Sequence, residues 1–152
     1  MSASTAGGAL NVVRGGAARE FTVTVRNGNI RVYGQVLVVF QMEIMVEGVS
    51  DGPAPPQNGF VLERRDPATG AWRTVELRVA NDVQPHWLFT GGTPLARDAA
   101  RTERYRIRAG ATGPVGFTPL MIRLIDTGAP QNASYEQGGP ARSSLPVSAR
   151  HG

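Results

Sequence analysis

His86 and His151 are the only histidines in the chain, so any imidazole chemistry must run through them. A Ser-His-Asp set would have to use His86, in "NDVQPHWLF". No Gly-x-Ser-x-Gly elbow stands anywhere to supply its nucleophile. Zinc would need a further ordered nitrogen ligand, and His151 is the penultimate residue. His86 is therefore expected as a loop histidine stacked near Trp87, with ligand contact as its sharper reading. The chain has neither cysteine nor lysine. That removes thiolate chemistry, disulfides, Schiff bases, a P-loop lysine and isopeptide cross-links, each of which needs one of those side chains. Among the acids, Glu63, Asp66 and Glu76 share one hairpin, and Glu43 and Glu47 share one strand face. Glycoside hydrolysis needs two carboxyls about 5–9.5 Å apart in a cleft, and the spacing singles out no such pair. Asp51, Asp82 and Asp126 are loop acids without the dense alternation of a calcium loop. The residues thus predict no catalytic set, no metal and no cofactor, and the chain is expected not to be an enzyme.

Contact chemistry is better supplied. Trp72, Trp87, Tyr33 and Tyr135 could form a stacking platform for a sugar face, with Trp87 the leading candidate and Trp72 expected to cover the core beside a turn. In "RTERYRIRAG", Arg104, Arg106 and Arg108 point one way along an extended segment while Tyr105 and Ile107 point the other. Three arginines on one strand face repel unless water or acids separate them, and Glu20 or Glu103 could supply those acids. Such a row is a candidate surface for an acidic partner or a glycan. It is no nucleic-acid footprint, because the other arginines are dispersed among Asp and Glu and the net charge is only +4.

The elements that must carry these residues are strands. The length of 152 residues suits one domain, and 19 Gly with 11 Pro suit many short strands joined by turns. Period two dominates. In "REFTVTVRN", Phe21, Val23 and Val25 share a face. In "RVYGQVLVVFQMEIMVEG", Val36, Val38, Phe40, Met42, Ile44 and Val46 do the same, and a helix would scatter those six around its circumference. "SDGPAPPQNG" is a loop. "FVLERRDPATGAWRTVELRV" reads as a hairpin, with Pro67 pre-setting φ and Gly70 taking the left-handed position. Strands follow at about 101–109 and 116–126, the second with a bulge or an edge at Pro119. "ALNVVRG" and "RSSLPVSAR" are a first and a last strand. The fold class expected is all-β, an antiparallel immunoglobulin-like β-sandwich of about 7–9 strands: a flexible arm at 1–8, one domain at 9–149 and a tail at 150–152.

"GGAAREFTVTVRNGN", "LERRDPATGAWRTVEL" and "ARTERYRIRAGATGPVGFTPLMIRLID" together resemble secreted immunoglobulin-like modules of high-GC Gram-positive bacteria. Those modules show a Gly-Gly stretch before a "FTVTV" strand, a "DPxTGxW" hairpin, a "TxxYRIR" strand and an "AGxxP" turn. The likeness spans roughly residues 8–126 and rests on strand and turn motifs. It implies an extracellular or cell-envelope domain that spaces or binds.

The function expected is a non-enzymatic structural or binding module of a secreted or cell-surface protein, with a protein partner or self-assembly. One alternative is a virion structural protein, its termini lacing onto neighbours. Another is a small carbohydrate-binding module. No stretch reaches the roughly 20 apolar residues of a membrane-spanning helix.

Overall fold

The computed structural model describes residues 2–28, 32–42, 52–53, 59–79, 86–111 and 115–151. Two sheets share one core, and a third, small sheet closes their end. The first sheet holds β1 (Ser2–Ala6), β3 (Arg19–Arg26), β10 (Ala100–Ala109), β6 (Phe60–Arg65) and β7 (Trp72–Thr74), in that order and all antiparallel. The second runs β13 (Ala141–Leu145), β12 (Leu120–Asp126), β4 (Tyr33–Met42), β8 (Leu77–Val79), β5 (Gly52–Pro53), and β9 (Thr93–Leu95) also pairs with β4. The third places β14 (Val147–Arg150) between β11 (Gly116–Phe117) and β2 (Leu10–Val13).

The alternation read from the sequence is what buries the core. Phe21, Val23 and Val25 of β3 and Tyr105, Ile107 and Ala109 of β10 face Phe40, Met42, Leu120, Ile122 and Leu124 of the second sheet. At the centre three rings meet. Tyr105 stacks on Phe21 at 5.6 Å and meets Phe40 edge-on at 4.8 Å. Such ring pairs contribute about 0.5–1.5 kcal/mol beyond the area they bury. β4 is buried on both faces from Val38 to Met42. The apolar face expected to continue through Ile44 and Val46, and the loop acids Asp51 and Asp82, lie outside the described residues.

Turns and prolines set the element ends. Asp66 Oδ1 accepts from the Ala68 amide at 2.8 Å, and Gly70 takes φ 75°, closing the β6–β7 turn. Those backbone donors, ahead of the Arg73 charge, hold the exposed Asp66 carboxyl below its usual pKa. Pro119 separates β11 from β12, and Pro146 separates β13 from β14, since proline has no N–H for a ladder.

Two expectations are corrected. The arrangement is not purely antiparallel: β14 runs parallel to β2, and β8 runs parallel to β4. Residues 2–6, expected as part of a free arm, form β1 against β3, with Ser2 opposite Arg26 and Ala6 opposite Thr22. Their side chains are small and half exposed, so no alternation of large apolar residues announced the strand. Gly7 and Gly8, at φ 134° and 62°, turn the chain out of it. Among the described residues, no helix is long and apolar enough to cross a membrane.

Candidate functional site

The two faces of β10 carry different chemistry. Outside, Arg104, Arg106 and Arg108 form the expected row. Arg104 donates to Glu20 at 2.7 Å, and Arg106 donates to Glu63 at 3.0 Å while its guanidinium lies 4.3 Å from the centre of the Trp72 ring. Arg108 is exposed and enters no ion pair among the described residues. The structure thus joins Trp72 to the arginine row, through a cation–π contact that takes one face of its ring.

Trp87 and His86 lie elsewhere, in a single 3-10 turn, His86–Leu88. His86 is buried, its Nε2 3.0 Å from the Pro130 carbonyl oxygen and its ring edge-on to Trp87 at 5.4 Å. A Cβ on Gly138 would come within 2.1 Å of His86 Nδ1, so the imidazole is packed beneath the one-turn helix α1 (Tyr135–Gly138). Ser134 and Gln137 cap that turn reciprocally, each side chain accepting from the other's amide at 3.2 Å. His86 is a packing residue, and among the described residues no acid pairs with it. Trp87 is half exposed, and no contact joins it to Trp72 among the described residues.

Inside, β10 presents Arg101 and Glu103 on the same face as Tyr105, and β6 sets Arg64 directly opposite Tyr105. Glu103, its side chain only 9% exposed, lies 3.3 Å from Arg64 Nη2 and 3.3 Å from Arg101 Nε, both measured to Oε1. Its other oxygen, Oε2, accepts the Tyr105 hydroxyl hydrogen bond. Arg101 Nη1 also donates to Thr93 Oγ1 at 2.5 Å. Both arginine Nε–H groups are buried without a hydrogen bond, although Arg101 Nε stays in ion-pair range of Glu103. Burial, and then the negative charge of Glu103, push the Tyr105 pKa well above the ordinary tyrosine value of 10.0. The phenol therefore stays protonated and remains a donor.

These four side chains line a recess of about 370 Å³ walled by Val36, Leu37, Val38 and Val75 and rimmed by Gly92 and Thr93. Ligand pockets run from roughly 300 to 1,000 Å³. Gly92 is needed at the rim. At φ 109° its backbone approaches β4 so closely that a Cβ would lie 2.8 Å from the Gln35 carbonyl carbon. Among the described residues no group of three or more His, Asp or Glu could hold a metal ion.

Sequence reasoning named the outer row and missed this cluster. Glu103 was weighed only as a partner for the outer arginines. Its odd number places it with Tyr105 and Ile107, on the buried face, and Arg64 likewise shares the parity of Phe60 and Leu62. A charge on the apolar face of a strand was the available signal.

No protein-family model and no curated protein matches this chain. Among solved structures, the chain is similar to AvmM, which catalyses macrocyclization in alchivemycin A biosynthesis. The TM-score is 0.58 at 10% identity, over 96% of this chain and 87% of that one. It also matches a family 123 glycoside hydrolase from Clostridium perfringens at TM-score 0.40 and 9% identity, over 95% of this chain and 23% of that one, and a PapD-like domain of human CEP192 at TM-score 0.33 and 8% identity, over 98% and 84%. The AvmM match corrects the expectation that the chain is not an enzyme. That expectation took an all-β chain without a catalytic motif to be inert, and AvmM is a catalyst with this fold over nearly its whole length.

Proposed function

We propose that the domain acts on a small molecule held in the recess, and that ring closure of a flexible chain is its reaction class. The observation that carries this reading is the inward-facing cluster of Arg64, Arg101, Glu103 and Tyr105 beside the apolar walls of the recess. A fold made only to be stable gains little from such a cluster, because partly buried charges lose hydration that their mutual attraction barely returns. Pre-set charges and donors are useful where negative charge develops on a bound carbonyl. Guanidinium groups suit that task, since they stay charged and present several N–H donors. Glu103 holds both of them in place, and the protonated Tyr105 hydroxyl holds Glu103. The apolar walls fold the rest of the chain back on itself, which brings its ends together. The fold shared with a macrocyclization catalyst supports the reaction class. The finer description of that fold, an immunoglobulin-like sandwich, is supported by its non-sequential strand order, with β10 between β3 and β6.

The experiment is an assay of ring closure. A panel of linear acyl thioesters bearing a terminal hydroxyl or amine is incubated with the protein and followed by mass spectrometry. The acyl carbon gains a bond to the terminal oxygen or nitrogen, its bond to sulfur breaks, and the thiol leaves with the displaced proton. Cyclised product with the wild-type chain, lost with Arg101→Gln and retained with Arg108→Gln, supports the reading. Neither turnover nor binding by any member of the panel would overturn it.

A further inference from the structure

Among the described residues the recess carries an imbalance of charge. Arg64 and Arg101 supply two positive charges, Glu103 supplies one negative charge, and Tyr105 stays neutral. On the outer face of β10, Arg104 has Glu20 and Arg106 has Glu63, and the unpaired Arg108 is exposed to water. Within the cluster Arg101 is the less hydrated cation, 26% exposed with its Nε buried without a hydrogen bond, while Arg64 is 43% exposed. Walls of Val36, Leu37, Val38 and Val75 leave few polar neighbours to spread the excess charge. An unbalanced cation in such surroundings attracts an anion more strongly than a hydrated surface arginine does.

From this we infer that the recess takes an amphipathic monoanion: an apolar small molecule ending in a carboxylate or a comparable planar anionic oxygen pair. The headgroup completes the cluster as its second negative charge, lying against the guanidinium donors that Glu103 leaves unused. The apolar part covers the valines and the leucine. Guanidinium favours this class because its planar fork of donors matches the two oxygens of a carboxylate. The inference rests on the recess being a small-molecule site, and it names which small molecules that site selects.

Calorimetric titration with octanoate and with octan-1-ol separates the two readings, since the pair shares an apolar chain and differs in the headgroup. Octanoate is expected to bind about tenfold or more tightly than the alcohol, the discrimination of a charge-assisted contact. Its affinity should fall as salt is raised, while that of the alcohol stays flat. Arg101→Gln should remove most of the preference. Glu103→Gln should raise octanoate affinity severalfold, because it deletes the competing negative charge; a residue that merely braces the fold would lower it. Arg108→Gln, on the outer face, should change nothing. Equal affinity for the two ligands overturns the inference and leaves the recess as a small-molecule site. Binding of neither overturns both. The salt titration needs only the wild-type chain, so it decides the matter even where a variant fails to fold.

Discussion

Arg104 and Glu103 are neighbours in sequence and belong to two different environments. Arg104 lies on the outer face of β10, roughly half exposed, and so does its partner Glu20. The salt link at 2.7 Å is short, yet water competes for both groups, and exposed pairs of this kind are worth about 0–1 kcal/mol. Glu103 points the other way, is nearly closed off from water, and serves two guanidiniums and a phenol at once. The same residue types along one strand thus make a solvated surface on one side and a tense, under-neutralised cluster on the other. Burial decides which set can do chemistry, and distance alone does not.

The contrast can be broken from the inside first. Tyr105→Ala removes the ring that stacks on Phe21 and Phe40 together with the donor to Glu103. It should cost about 3–5 kcal/mol in urea denaturation, as large aromatic truncations in a core do. Glu103→Ala keeps the rings and leaves two guanidiniums facing each other across the recess. Its cost should be roughly 2–3 kcal/mol, below that of breaking a fully buried pair because the arginines keep some contact with water. Tyr105→Phe is milder, about 1.5 kcal/mol, the low end for one hydrogen bond to a charged acceptor, and it carries a pH signature. The folded-state pKa of Tyr105 is raised, so its contribution is fully present below the ordinary value of 10.0 and is lost as pH climbs above that toward the folded value, where the unfolded chain alone ionises. Alkaline unfolding followed by circular dichroism should therefore flatten in Tyr105→Phe. Smallest of all, Glu20→Gln on the outer face should shift stability by no more than about 0.5 kcal/mol. An outer effect as large as the inner one would dissolve the distinction.

Much of the frame was legible beforehand because it depends on alternation and on turn chemistry. Phe21, Val23 and Val25 were read onto one face and are buried there. Gly70 was placed at the left-handed turn position and has φ 75°. Pro119 was expected as a bulge or an edge within one strand, and it instead divides β11 from β12, which belong to different sheets. What escaped depends on pairing over long sequence distance. β1 is built of Ser, Ala and Thr, so only its partner β3 makes it a strand. The parallel contact of β14 with β2 joins residues near opposite ends of the chain, which no local pattern encodes. The outer arginine row was visible because three like residues at period two stand out. The inner cluster draws Arg64 from β6 and Thr93 from β9 as well as its own strand, so it exists only once the sheets have closed. His86 drew notice as one of two histidines in the chain, and rarity in composition proved unrelated to placement: it is wedged beneath Gly138.

The most direct test of the recess as the working site is a map of backbone amide shifts by nuclear magnetic resonance as octanoate is added to the intact chain. The account predicts saturating shifts confined to the recess strands, at Val36–Val38, Arg64, Val75, Gly92–Thr93, Arg101, Glu103 and Tyr105. Shifts gathered instead around Trp72 and the outer arginines, or around Trp87, would contradict it.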